Sequence, residues 1–205
     1  MRGAGVAVVA VFVLGACSNP RTIDVPQAGV IEKPTFATLP VDLADSPQLD
    51  ALTPRDNAGL RPTSESADGT LLAEALAALA ATDDPPTMLT RLSIYDDDVI
   101  IGYYQRGVTG LSVSASYRRG DDLYVGEPSF SEDPSYPLSA VDPKLPQRLL
   151  DAFARRFPDI AVVSVDIDVN DDFGLSWNLR LEDARGSFGN VFVDPDGTVI
   201  AVDVS

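Results

Sequence analysis

Carboxylates are the only reactive side chains this sequence offers in quantity. Its 205 residues include 31 Asp and Glu, no His and one Cys. Without histidine there is no Ser-His-Asp triad and no Cys-His pair, and a lone thiol can form neither an internal disulfide nor a thiolate zinc cage. Oxygen ligation of calcium stays open. Asp96-Asp97-Asp98, Asp121-Asp122 and the set Asp166, Asp168, Asp171 and Asp172 are the candidate ligands. The last set is the best spaced, because alternate residues of a strand share a face. Asp194-Pro195-Asp196-Gly197 begins like a calcium loop but lacks the later Asp or Asn and the closing Glu. All these runs fall at expected turns or wet strand faces, where Asp is favoured for bonding to its own backbone, and that reading is preferred over a metal site. A carboxylate pair that hydrolyses wall glycans is also conceivable. None of Glu32, Glu65, Glu74, Glu127, Glu132 and Glu182 has the apolar setting that would raise its pKa. No catalytic residue, metal or diffusible cofactor is therefore assigned, and the expectation is a protein that is not an enzyme.

The single cysteine has a specific setting. Arg2 is followed by an uncharged, largely apolar run from Gly3 to Ala16, which stops at Cys17. A short positive start, a brief apolar stretch and a small-residue end make a secretory signal peptide over residues 1–16, too short for the roughly 20 residues of a membrane span. Leu14-Gly15-Ala16-Cys17 resembles the lipobox of bacterial lipoproteins. The resemblance implies that the thiol receives a diacylglyceryl group, that cleavage falls just before Cys17, and that the new amino group can be acylated as well. Two or three acyl chains, palmitate among them, anchor stably where one is marginal. Ser18 stands where an aspartate would resemble an inner-membrane retention signal. The chain is thus expected at the cell membrane, lipid-anchored, on its extracytoplasmic face.

Residues 17–67 hold seven of the 16 prolines with no sustained periodicity, and read as a flexible tether. About 50 such residues reach roughly 40 Å. The alternative is an ordered arm in which Ile23, Val25, Val30, Ile31 and Phe36 pack on the domain. From Asp68 a capped, Ala- and Leu-rich helix is expected over Leu71 to Ala81, with Leu72, Leu76, Leu79 and Ala80 on one face. Strands are expected over Leu89 to Tyr95, Val99 to Gln105, Leu111 to Tyr117 and Leu123 to Val125. Arg119-Gly120-Asp121 spells an adhesion tripeptide but reads as hairpin chemistry. At Asp142-Pro143 an N-cap and first-turn proline open a second helix, with Leu145, Leu149, Phe153 and Phe157 on one stripe and Arg148, Asp151, Arg155 and Arg156 toward water. Val163, Val165, Ile167 and Val169 then alternate with polar residues, as do Leu175, Trp177, Leu179 and Leu181, so Trp177 reads as core. Ser187 to Val193 and Thr198 to Val204 close the chain around the 194–197 turn.

The order is one helix and four strands, given twice. The expected fold is α+β, with residues 68–140 and 141–205 as two helix-plus-antiparallel-sheet units (αββββ twice) and the helices packed on one sheet face. This succession looks like PepSY-like and beta-lactamase-inhibitor-like modules. Ser93-Ile94-Tyr95-Asp96-Asp97, Tyr136-Pro137-Leu138-Ser139-Ala140-Val141-Asp142 and Gly197-Thr198-Val199 also resemble a group of actinobacterial envelope proteins of uncharacterised function. The resemblance implies extracytoplasmic binding or regulatory modules and carries no active site.

A net charge of -16 and a pI near 4.1 argue against nucleic acid as a partner. Of the basic residues only Lys33 and Lys144 are lysines, which hints at a GC-rich bacterial genome. The first half is the richer in aromatics: Tyr95, Tyr103, Tyr104, Tyr117, Tyr124 and Phe130. Tyr103 and Tyr104 point to opposite faces of one strand, so one ring leaves its own core, and a half-exposed tyrosine suits a protein or glycan partner. The alternative is that the second sheet or the linker covers it. Tyr103, Tyr104 and Tyr124 are the binding candidates. The reading is a lipid-anchored, non-enzymatic binding or accessory protein of the bacterial envelope, held to the membrane by lipid and partnered by another envelope protein. A calcium-dependent adhesin or sensor using Asp166 to Asp172 is the alternative, and a carboxylate glycan hydrolase the second alternative.

Overall fold

Strand-forming segments with one apolar face must find neighbours or leave ladder groups unpaired, and here they all join a single sheet. The computed structural model describes residues 43, 46–52, 62, 64–170 and 174–204; the signal-peptide run, Cys17, Asp171 and Asp172 lie outside them. The long strands of the first half are β1 (Met88–Ile94), β2 (Asp98–Tyr104) and β3 (Leu111–Arg118). Three two-residue strands follow: β4 (Tyr124–Val125), β5 (Ser129–Phe130) and β6 (Tyr136–Pro137). The second half supplies β7 (Ala161–Asn170), β8 (Gly174–Asp183), β9 (Gly186–Val193) and β10 (Val199–Val204). All ten pair antiparallel in the order β10-β9-β8-β7-β1-β2-β3-β4, with β5 also on β3 and β6 also on β1.

This corrects the expected αββββ repeat and its α+β class. The described chain is mostly one large antiparallel sheet with two α-helices, α1 (Leu71–Ala80) and α2 (Leu145–Arg156). The physical reason lies in β1 and β7. Two separate sheets would leave each of these strands as an exposed edge, whereas pairing Leu92 with Ile167 and Ile94 with Val165 satisfies both edges and makes the apolar faces continuous. The fourth strand of the first half also shrinks to a pair of residues, since Pro128, Pro134 and Pro137 interrupt the chain before α2.

One apolar cluster holds the two helices against the sheet. It includes Leu71, Leu72 and Leu79 from α1, Leu145, Leu149 and Phe153 from α2, and Leu92, Ile94, Ile101, Val165, Trp177, Leu179 and Val191 from the strands. On α1 the buried face is Leu71, Leu72, Ala75 and Leu79; Leu76 is half-buried and Ala80 exposed. The helices meet at Gly69, where a Cβ would stand 2.4 Å from the Gln147 backbone nitrogen. The second helix begins at Leu145, later than Asp142-Pro143 suggests. The Asp142 carboxylate still accepts a bond from the Lys144 backbone N–H and pairs with Arg148, which is drawn down from the expected wet side. In β7 a bulge between Val162 and Ser164 shifts the alternation, so Val162 is buried and Val163 only half-buried.

The described part of the proline-rich stretch is packed. Pro47–Ala51 form a short 3-10 turn, and Leu43, Leu49 and Leu52 belong to the core. Arg156 of α2 donates to the Leu43 carbonyl and to Asp50 Oδ1 at 2.8 Å, fixing this segment over the end of the second helix. The remainder of the expected tether lies outside the described residues, as do Ile23, Val25, Val30, Ile31 and Phe36.

Candidate binding edge

At its β3 side the sheet ends in a broken strand. Antiparallel pairing sets Tyr124 opposite Ser116, Val125 opposite Ala115, Ser129 opposite Ser112 and Phe130 opposite Leu111, with the Gly126 N–H donating to the Ser114 carbonyl at 2.8 Å. Two residues lie between Ser112 and Ala115, and three lie between Val125 and Ser129. One extra residue is therefore accommodated at Glu127-Pro128, as in a bulge. The pleat sends Val125 and Phe130 to the helix-covered face, level with Ala115 and Leu111, and Tyr124 to the opposite face.

These side chains reach water. Among the described residues five large apolar side chains stay exposed: Val108 at 41%, Tyr124 at 68%, Val125 at 46%, Phe130 at 71% and Val204 at 44%. All but Val204 lie between residues 108 and 130, on β4, β5 or the β2–β3 loop. The Phe130 ring packs over Gly110, where a Cβ would meet it at 2.9 Å. Gly110 also has φ of 76°, a backbone conformation that favours glycine. Beside this edge α1 presents Ala73, Ala77 and Ala80 to solvent, with Glu74 its only charge.

The charge around the edge is one-sided. Between residues 121 and 133 the chain carries Asp121, Asp122, Glu127, Glu132 and Asp133, and no basic residue. All five are exposed. The nearest arginines are committed elsewhere: Arg106 to Asp84 at 3.5 Å, Arg118 to Asp97 at 3.4 Å, and Arg119 to Asp68 at 3.0 Å and Glu74 at 3.5 Å. Among the described residues none of the five edge carboxylates has a cationic partner.

The three tyrosines divide. Tyr103 is half-buried against the core; burial first, and then the Asp84 carboxylate, push its phenol above the ordinary value. Tyr104 is half-buried and donates to the Asp133 carbonyl at 2.6 Å, so it secures the loop after β5. Only Tyr124 presents an open ring. Phe130 and Val125 lacked a local sequence signal, and the one pattern that marks them is the run of acidic residues without a base.

The acidic candidates separate likewise. Asp166 is half-buried, accepts from Ser164 Oγ at 2.8 Å and faces Asn178 across the ladder. Asp168 opposes Ser176 on the backbone, while Asp171 and Asp172 lie outside the described residues. Ser176 Oγ and Asn178 Oδ1 are buried without partners, but they are neutral. One described carboxylate with two neutral oxygens falls short of the about six to eight oxygens calcium takes. No group of three potential ligating side chains occurs among the described residues. Asp194 serves its turn: its Oδ1 accepts from the backbone N–H groups of Asp196 and Thr198, both at 2.9 Å, and Gly197 has φ of 96°. Arg119-Gly120-Asp121 forms the β3–β4 turn, with Gly120 at φ of 84° and Arg119 held by Thr70, Asp68 and Glu74. Trp177 is buried in the core. Cys17 lies outside the described residues. Comparison with protein-family models, with curated proteins and with solved structures finds no match.

Proposed function

We propose that this chain is a lipid-anchored, non-enzymatic binding protein on the extracytoplasmic side of a bacterial membrane, and that its folded region holds a partner protein through the β3–β5 edge. The observation that carries the binding role is the exposure of Val125 and Phe130 on the same face of the last strands, β4 and β5, with Tyr124 exposed on the opposite face of that edge and Val108 in the β2–β3 loop. A chain gains little stability from an aromatic ring left largely in water, and large apolar side chains exposed together on a sheet edge mark interaction surfaces. The anchor is supported by Leu14-Gly15-Ala16-Cys17 after an apolar run. The preference for binding over catalysis rests on the sequence: no histidine, and a cysteine already assigned to the lipid.

Mass spectrometry of the N-terminal peptide tests the anchor. The expected species starts at Cys17 and carries a diacylglyceryl group. Cys17→Ala should leave an uncleaved precursor without that mass. A wild-type chain that keeps Met1, or starts elsewhere without lipid, would contradict the reading.

A further inference from the structure

We infer that the partner segment seated on the β3–β5 edge is basic, with apolar residues interleaved among Lys or Arg side chains. The inference rests on the binding role proposed for this edge and names the chemistry of what it takes. Three occupants can be weighed by charge. A second copy of this chain would bring the same five carboxylates and a further net charge of -16 against the first. An anionic lipid surface would be repelled in the same way. The chain's own segment 18–41 has apolar residues, but its Arg21 and Lys33 are cancelled by Asp24 and Glu32, so it brings no net positive charge.

The carboxylates without a cationic partner are distributed along the whole edge. Asp121 and Asp122 stand before β4, Glu127 at the bulge between β4 and β5, and Glu132 and Asp133 after β5, so acidic groups flank the apolar residues at both ends and in the middle. Arg106, Arg118 and Arg119 are close in sequence, yet each is paired with a different carboxylate. A polar rim around an apolar centre is the usual anatomy of a protein interface, and a rim of one sign selects a partner of the other. The apolar centre, Val125 and Phe130, supplies the contact that bulk charge alone does not.

The test uses the full chain in neutral detergent and a fluorescently labelled ten-residue peptide alternating Lys and Val, with its Glu-Val counterpart as control. Anisotropy should show the Lys-Val peptide binding more tightly than the control by at least about tenfold. Raising NaCl from about 0.1 M to about 1 M shortens the Debye length from about 10 Å to about 3 Å, and should cost a further factor of about ten. Because the whole protein is acidic, location decides the matter. Phe130→Ser, and separately the triple change Asp122→Asn, Glu127→Gln, Glu132→Gln, should each weaken the Lys-Val complex several-fold. The triple change Asp83→Asn, Asp96→Asn, Asp159→Asn, which removes the same charge from other exposed positions, should not.

Equal losses from the two triple variants, or none from Phe130→Ser, would overturn the inference by showing a diffuse charge effect. Phe130-dependent self-association of the full chain would overturn it in favour of a second copy, and Phe130-dependent binding to phosphatidylglycerol vesicles in favour of lipid. In all these cases the lipid on Cys17 would be unaffected, so the anchored location stands or falls separately.

Discussion

Phe130 and Phe153 are the same residue type in opposite settings, and truncating each to alanine separates a side chain kept for folding from one kept for contact. Phe130 is 71% exposed, so about three-tenths of it is buried. Complete burial of a phenylalanine side chain contributes about 1.5–3 kcal/mol, which puts the folding contribution of Phe130 at about 0.4–0.9 kcal/mol. Phe153 is wholly buried in α2, with its ring centroid 4.9 Å from that of Phe157. Its removal leaves a cavity between helix and sheet and should cost about 3–5 kcal/mol. At about 2–4 °C per kcal/mol for a chain of this size, Phe130→Ala lowers the melting temperature by about 1–4 °C and Phe153→Ala by about 6–20 °C. Circular-dichroism melts at matched protein concentration and detergent read both shifts. Equal losses for the two variants would make Phe130 a structural residue, and the edge would need no partner to explain it.

Two further outcomes follow from packing and charge. Leu49 lies in the proline-rich stretch yet is fully buried, so Leu49→Ala should cost about 2–5 kcal/mol in urea unfolding; a loss under about 0.5 kcal/mol would mean that the 47–51 turn does not contribute to the core. Burial alone would push the Asp68 pKa up, but hydrogen bonds from Thr70 and Arg119, with the charge of Arg119, outweigh it and hold the carboxyl below its ordinary value. A lowered native pKa stabilises above the unfolded value of about 3.9, and that stability is lost as pH falls through the native pKa. The gap in melting temperature between wild type and Asp68→Asn should therefore be present at pH 7 and shrink as pH falls below the unfolded value of about 3.9, and a gap that does not change with pH would contradict this.

Local chemistry was readable in the sequence, and long-range pairing was not. Pro143, Pro146 and the four-residue spacing from Leu145 to Phe153 announce α2, and Asp194-Pro195-Asp196-Gly197 announces the last hairpin through the bonds its first carboxylate makes. The junction of β1 with β7 has no local signature: residues some 70 positions apart choose each other because each strand would otherwise be an edge. Hence two similar-looking runs of helix and strands read as two units, while the chain builds one sheet. Proline count alone also hid Leu43, Leu49 and Leu52, which are too sparsely spaced to show a period yet fall on the core. At the edge, tyrosine chemistry pointed to Tyr124 but equally to Tyr104, whose hydroxyl is used to hold the Asp133 carbonyl. Phe130 differs from a core phenylalanine only through β5 being the last strand on its side, which is a property of topology and not of neighbouring residues.

The β3–β5 edge is tested as a binding surface most directly by site-specific photocrosslinking in cells that carry the anchored chain. Benzoylphenylalanine replaces Phe130 in one variant and exposed Asp196, on the β9–β10 turn, in another. A discrete adduct with one protein is expected from position 130, absent from position 196 and lost when Val125→Ser is added. No adduct at position 130, or the same adducts from both positions, would contradict the assignment of this edge as the binding surface.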